Sequence, residues 1–158
     1  MPDEEKLSSY LNKSKLISNS NYEKKIRIAI LGGFTLNGLE ETMRVKCDEK
    51  KIQCTTYVSG YNQYNQEILD EKSQLYEFSP DITFLIIDTR NILGELFLNP
   101  YSVSVEERKR FIQNKSDEII NLAKTLVKKS NSKLIISNFS IPSYSPIGIN
   151  ETREEFGL

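Results

Sequence analysis

Four short apolar runs divide the chain into regular segments. They cover residues 26–31, 51–58, 82–88 and 133–139, and they are rich in the β-branched and aromatic residues that favour strands. The first and third runs are almost unbroken, which is typical of strands that are buried on both faces of a parallel sheet. The sequence therefore predicts four strands, with the third in a central position.

Between these runs, apolar residues recur at the spacing of helices. Residues 36–50 predict one amphipathic helix, and residues 66–78 predict a short or broken helix after a polar loop at 61–65. The longest predicted helix begins at Ser104, where a serine is followed three residues later by Glu107 in a capping box.

The alternation of strands and helices determines the expected fold class. Parallel strands need helical crossovers, so the order β-α-β-α-β-α-β predicts an α/β fold. The expected architecture is a three-layer α/β/α sandwich with a mostly parallel sheet. Flavodoxin-like and SGNH-hydrolase-like strand orders both fit the four predicted strands.

The length of the chain is typical of one domain, here preceded by an arm. Residues 1–22 start with acidic side chains and place leucines at helical spacing, which predicts a helical N-terminal arm. Residues 23–158 are expected to form one SGNH-like α/β domain, with a long loop that contains a helical turn at 93–103. Its last part, 140–158, contains prolines and a glycine, so we expect the chain to stop within a domain or a larger protein.

The composition excludes several classes of function. The 21 basic and 22 acidic residues leave a formal charge of −1, which offers no general attraction for nucleic acid or for an anionic membrane. No apolar segment approaches the ~20 residues needed to span a bilayer, and the N-terminus is unlike a signal peptide, so a cytoplasmic location is expected. The two cysteines, Cys47 and Cys54, fit no redox or zinc motif and are expected to be free, buried or half-buried thiols.

The stretch after the first strand is the main candidate for chemistry. Gly32 and Gly33 allow a sharp reversal of the backbone before the next helix. The Thr35 hydroxyl suits two roles there: it caps that helix, or it acts as a nucleophile if a neighbouring base takes its proton. The chain contains no histidine, which removes the usual base of serine hydrolases and the commonest zinc ligand.

Polar residues follow the second and third strands and are expected at the same edge of the sheet. Asp88 either binds a ligand there, pairs with Arg90 or caps a turn. The polar run 62–66 either holds a polar ligand or closes a loop on itself. The predicted ligand-binding residues are Gly33, Phe34, Gly60, Asn62, Gln63, Asn65, Asp88, Arg90 and Asn91, and Thr35 is the one catalytic candidate.

The residues present exclude three common motifs that bind nucleotides or transfer phosphate. Gly33 and Gly38 have the glycine spacing of a P-loop, but Leu-Glu follows where Lys and Ser or Thr are required. No GxGxxG follows the first strand, so the dinucleotide fingerprint is missing. Asp88 is followed directly by a threonine, which does not match the Asp-x-Asp-x-Thr nucleophile motif of HAD-type phosphatases.

Several stretches together resemble a known family. They are the Gly-Phe-Thr corner at 33–35, the Tyr-Asn-Gln-Tyr-Asn loop at 61–65, the Ser-x-Leu-Tyr-x-Phe-x-Pro-Asp stretch at 73–81 and the Asp-x-Arg edge at 88–90. Residues 25–150 resemble the N-terminal SGNH-like domain of FkbH-like proteins. In that family, the domain precedes a HAD-type (class IIIC) catalytic domain.

The resemblance implies a role and a set of partners. FkbH-like proteins are associated with taking a glyceryl unit from 1,3-bisphosphoglycerate, removing phosphate and loading the unit on an acyl carrier protein in polyketide biosynthesis. The implied partners are the HAD domain of the same protein, the acyl carrier protein and a small phosphorylated or acyl substrate. Magnesium is expected only in the HAD domain, so no cofactor is expected in this chain.

The chain departs from both enzyme types. It contains no HAD aspartate motif and no Asp-x-x-His block of the kind that closes SGNH enzymes. The leading hypothesis is therefore an accessory domain that positions a substrate or the carrier protein. The alternatives are an acyl transferase or esterase with Thr35 as its nucleophile, and a structural docking module.

Overall fold

A computed structural model describes residues 6–17 and 22–139 of the chain. Its strands are β1 Lys24–Gly32, β2 Ile52–Val58, β3 Ile82–Ile86 and β4 Lys133–Ile136. All four pair in parallel, in the order β2-β1-β3-β4. This is the order of the first four strands of a flavodoxin-like sheet, so the predicted fold class is confirmed.

The helices connect the strands and cover both faces of the sheet. Their bounds are α1 Leu7–Leu16, α2 Leu39–Glu49, α3 Tyr64–Leu69, α4 Gln74–Phe78, α5 Thr89–Leu93, α6 Glu95–Leu98 and α7 Val105–Lys129. The broken helix after the second strand and the long helix are thus confirmed. The segment 93–103, predicted as a long loop with a helical turn, contains the one-turn α6 and a 3-10 turn, which bury Phe97 and Pro100.

Strand β1 is the most buried element of the described chain. It pairs with β2 on one side and β3 on the other. Ala29, Ile30 and Leu31 are completely shielded from solvent. Burial on both faces explains why residues 28–31 are apolar at every position instead of alternating.

The main core cluster lies on the face that carries α3, α4 and α7. Its buried members are Ala29, Leu31, Tyr64, Ile68, Leu75, Leu85, Ile87, Leu122 and Leu126. Because strand side chains alternate, Ile28 and Ile30 point to the opposite face, where α2 packs against β2. Helices therefore lie on both faces, which makes three layers.

Helix α1 lies within the predicted N-terminal arm and packs on α2. Gly38, which precedes α2, has a φ of 83°, a left-handed conformation that favours glycine. A β-carbon at this position would approach Leu7 Cδ2 to 3.1 Å and would come closer still to Leu7 Cδ1. The Lys46 ammonium lies 5.1 Å from the centre of the Tyr10 ring, which joins the two helices a second time.

The turn between β1 and α2 differs from the one that the sequence predicts. Helix α2 begins at Leu39 with Gly38 as its N-cap and no side-chain cap, so Thr35 does not cap it. The glycine with left-handed backbone is Gly38, whereas Gly32 and Gly33 have ordinary φ values. Residues 34–38 form an irregular segment before α2, and Leu7 of α1 lies against Gly38 at its end.

The capping box at the start of α7 is confirmed. The Glu107 N–H donates to Ser104 Oγ at 3.2 Å, and the Ser104 N–H donates to Glu107 Oε2 at 2.9 Å. The backbone N–H and the hydroxyl of Ser104 both donate hydrogen bonds to the Glu107 carboxylate. These two bonds hold the pKa of Glu107 below its ordinary value. The capping box fixes the residue at which α7 begins, and α7 is one of the helices that cover the core.

Candidate functional site

The carboxyl end of β1 joins the loops that follow β2 and β3. The Asn62 N–H donates to the Gly32 carbonyl at 3.2 Å. On the other side, the Gly33 N–H donates to the Ile86 carbonyl at 2.9 Å, and Asn91 Nδ2 donates to the Gly33 carbonyl. This junction lies at the point where the strand order reverses, which is where open α/β sheets bind ligands.

A cavity of about 480 Å³, here termed the corner cavity, lies beside this junction. Helix α1, the irregular segment 34–38 and the end of β2 surround it. Its apolar lining comes from Leu7, Leu11, Phe34, Leu36, Val58 and Tyr61. Its polar side chains are Thr35, Asn37, Glu40, Glu41 and Ser59. The corner cavity is thus amphipathic, as small-molecule sites usually are.

Thr35 is exposed in the corner cavity, but no neighbouring group activates its hydroxyl. Among the described residues, no side chain forms a hydrogen bond with Thr35. Glu40 lines the same cavity, yet its Oε1 accepts a hydrogen bond from Thr56 Oγ1 at 2.7 Å. A threonine nucleophile needs a base within hydrogen-bond reach, and no described side chain is hydrogen-bonded to Thr35.

The charge of the corner cavity is negative. Among the described residues, the acidic side chains that line it are Glu40 and Glu41, and both lie in the first turn of α2. Across the junction, the half-buried Asp88 carboxylate has no partner among the residues that the structure describes. The nearby Arg90 guanidinium lies 5.0 Å from the centre of the Phe97 ring.

Comparison with known proteins assigns this architecture to a family. The sequence profile described as "FkbH, N-terminal domain" matches residues 27–143, well over half of the chain. The chain belongs to the FkbH N-terminal domain family. The resemblance noted in the sequence is thereby confirmed.

A solved structure shares the fold of this FkbH N-terminal domain. It is the crystal structure of the N-terminal part of the protein BF1531 from Bacteroides fragilis, described as containing a phosphatase domain complexed with Mg. The TM-score is 0.70 at 18% sequence identity, over 88% of this chain and 35% of that one. The chain thus spans about a third of the length of that structure. A search among curated proteins gives no significant match.

The predicted ligand-binding residues of the FkbH N-terminal domain do not all line one cavity. Phe34 and Thr35 line the corner cavity, whereas Gly60 and Gln63 line a second cavity of about 430 Å³. The Gln63 side chain packs directly over Gly60. In the sequence, Asn62 lies between Tyr61, which lines the corner cavity, and Gln63, which lines the second cavity. Its φ of 54° is left-handed.

The remaining predicted residues lie close to the junction or within α3. The Asp88 N–H lies 3.5 Å from the place where a Gly33 β-carbon would stand, so both lie at one edge with Asn91. Asp88 precedes α5 but does not cap it, and it forms no ion pair with Arg90 in the described part of the chain. Asn65 lies in the first turn of α3, and its buried Oδ1 has no hydrogen-bond partner among the described residues.

Two thiols that belong to no sequence motif lie together in the FkbH N-terminal domain. Cys47 on α2 and Cys54 on β2 are both half-buried and free, as the sequence predicts. Burial, followed by the neighbouring Cys47 thiol, raises the pKa of Cys54 to about 12. Cys54 is therefore protonated at neutral pH and a poor nucleophile. Sequence spacing could not show this pair, because helix packing brings the two residues together.

The described residues do not form a metal site. Within 6–17 and 22–139, no three His, Cys, Asp or Glu side chains are grouped so that they could hold an ion. No helix in the same ranges has both the length and the apolar character that crossing a membrane requires.

Proposed function

We propose that this FkbH N-terminal domain is an accessory part of an FkbH-like enzyme. That enzyme takes a glyceryl unit from 1,3-bisphosphoglycerate, removes phosphate and loads the unit on an acyl carrier protein in polyketide biosynthesis. The domain holds the substrate, or the carrier protein, against the HAD-type phosphatase domain of the same protein. Magnesium acts in that phosphatase domain.

The family and the solved neighbour support the partnership with a phosphatase domain. The neighbouring structure contains a phosphatase domain with Mg in the same chain, and the present chain corresponds to 35% of it. The chain studied here carries the FkbH N-terminal match over residues 27–143 and no HAD aspartate motif. Phosphate removal is therefore assigned to a separate domain of the same protein.

One observation carries the accessory role. The corner cavity lies at the carboxyl ends of β1 and β2, on the edge of the sheet where α/β folds bind ligands, yet its exposed Thr35 hydroxyl has no hydrogen-bonded base among the described residues. General-base assistance contributes about 10²–10⁴-fold to a reaction, so a hydroxyl without it is a weak catalyst. Binding without catalysis is the function that this geometry supports best.

Thr35→Ala provides the test of the accessory role. We expect the purified chain to hydrolyse short-chain esters and thioesters at the background rate, and we expect the variant to behave identically. Ser59→Ala serves as a control for the loss of a different hydroxyl from the same cavity. Hydrolysis well above background that disappears only in Thr35→Ala would show that the accessory role is wrong.

A second candidate is an acyl transferase or esterase whose base comes from outside the described residues. It is favoured by the exposure of Thr35 within the corner cavity. Mass spectrometry of the chain after incubation with a reactive thioester distinguishes the two candidates. An acyl group on Thr35 would support this second candidate, whereas an unmodified protein counts against it.

A third candidate is a docking module for the acyl carrier protein. It is favoured by the exposed apolar surface around Tyr61, which is 66% exposed, and Leu7, which is 51% exposed. Titration of the labelled chain with acyl carrier protein, followed by NMR, would place shifts on this surface. Shifts produced by the small substrate alone would favour the accessory role instead.

A further inference from the structure

We propose that Cys47 and Cys54 form a reversible disulfide bond when this FkbH N-terminal domain is exposed to a peroxide. The sequence contains two cysteines, so a disulfide within one chain must join these two residues. The bond would fasten the last turn of α2 to β2. The inference goes beyond the proposed function, because it does not depend on what the corner cavity binds.

The connection between α2 and β2 brings the two cysteines together. Cys47 lies in the last turn of α2, and Cys54 lies near the start of β2. The Lys50 N–H donates to the Cys47 carbonyl at 2.9 Å, and the next residue, Lys51, has a left-handed φ of 57°. The helix therefore ends in a tight turn, and the chain returns along β2, against which α2 packs.

The two thiol groups are already in contact. A hydrogen bond joins the thiols of Cys47 and Cys54, and both residues are half-buried. A second link between the same elements lies at the start of α2, where Thr56 Oγ1 donates to Glu40 Oε1 at 2.7 Å. The helix is thus held to the strand at both ends. A disulfide places its sulfur atoms about 2.05 Å apart, so a hydrogen-bonded pair needs only a small further approach.

A cavity gives small molecules access to the thiol pair. Strand β2 lies at an edge of the four-stranded sheet. A cavity of about 320 Å³ lies between this strand and α2, and residues 52–56 line it together with Arg44 and Asp48. Cys54 is therefore one of the lining residues. Hydrogen peroxide is little larger than a water molecule, so it fits this cavity and reaches the two sulfur atoms.

The reaction begins at Cys47, because burial raises the pKa of Cys54 to about 12 and keeps that thiol protonated. The Cys47 thiolate attacks one peroxide oxygen, the O–O bond breaks, and hydroxide leaves, which gives a sulfenic acid. The Cys54 sulfur then attacks the Cys47 sulfur. The S–O bond breaks, and the hydroxyl leaves as water with the Cys54 proton. Overall, two thiols are oxidised to one disulfide, and one hydrogen peroxide is reduced to two waters.

Mass spectrometry of the 158-residue chain after treatment with hydrogen peroxide tests the inference. We expect each chain to lose both free thiols and about 2 Da, the mass of the two hydrogen atoms removed. A digest without reductant should contain one cross-linked pair of peptides that carries Cys47 and Cys54. Dithiothreitol should restore the two separate peptides.

Two matched variants test which thiol reacts first. In Cys54→Ser, peroxide should leave a sulfenic acid on Cys47, and dimedone traps this group for detection by mass. In Cys47→Ser, the labelling of Cys54 by dimedone should be at least about tenfold weaker, because a protonated thiol is a poor nucleophile. Serine is close to cysteine in size, and circular dichroism checks that both variants keep the fold.

The opposite results are equally clear. The inference is overturned if both thiols stay free after the treatment, if disulfides form between chains, or if sulfinic or sulfonic acid appears in place of the cross-link. Equal labelling of the two variants by dimedone would overturn the order of the two steps. Each of these results would leave the proposed function standing.

Discussion

Replacement of Leu85 by alanine is expected to lower the free energy of unfolding by about 2–5 kcal/mol. Leu85 lies on β3 and is completely buried in the main core cluster. It pairs with Leu31 of β1 on one side and with Ile136 of β4 on the other. Alanine would leave a cavity at the centre of the sheet. A loss of this size is a large fraction of the stability of an ordinary domain, about 5–15 kcal/mol.

Urea unfolding followed by circular dichroism measures this loss. Leu98→Ala is the matched control, because it makes the same chemical change at a leucine that is 65% exposed. We expect the control to change the free energy of unfolding by no more than about 0.5 kcal/mol. Equal effects of the two substitutions would mean that the core does not lie where the structure places it.

Replacement of Gly38 by alanine is expected to cost about 1–3 kcal/mol and to loosen α1 from the domain. The φ of 83° is unfavourable for a residue with a β-carbon. That carbon would also press against Leu7, which holds α1 over the corner cavity. Thermal unfolding measures the loss of stability, and limited proteolysis at the start of the chain measures the loosening of α1.

The Leu7→Ala background separates the two parts of this effect. In that background the collision with α1 is absent, so Gly38→Ala should cost less than it does in the wild type. The double-mutant cycle gives the difference as an interaction energy between positions 7 and 38. An interaction energy of zero would contradict the packing of α1 against Gly38.

Much of the fold was predictable because its central strand β1 is buried on both faces over its second half. The unbroken apolar run in β1 and the capping box of α7 are local signals, and the structure confirms both. Element ends were less predictable. The third strand ends at Ile86 and not at Asp88, because α5 begins three residues later at Thr89 and the chain leaves the sheet before it.

The amphipathic helix predicted at 36–50 has its apolar stripe at Leu36, Leu39, Met43 and Cys47. The structure confirms this stripe only in part. Leu39, Met43 and Cys47 are half-buried, whereas Val45 is the fully buried residue of this helix. The helix starts three residues later than its pattern suggested, and it also packs on α1. Contacts on a second side change which residues are covered, and a single periodic stripe cannot show this.

The candidate site was predictable in position but not in shape. Sequence reasoning placed Gly33 and Asp88 at the carboxyl edge, where the structure puts both. The corner cavity was not predictable, because it joins Leu7 of α1 to Tyr61 after β2. Its acidic character was hidden as well, since Glu40 and Glu41 read in the sequence as the polar face of a helix.

We propose that this FkbH N-terminal domain binds an acyl group at the corner cavity without reacting with it. Titration of the ¹⁵N-labelled chain with the glyceryl thioester of N-acetylcysteamine tests this proposal most directly. We expect amide shifts at Thr35, Ser59 and Tyr61, with the thioester intact at the end of the titration. Cleavage of the thioester with an acyl group left on Thr35, or shifts confined to the amino end of the sheet, would contradict it.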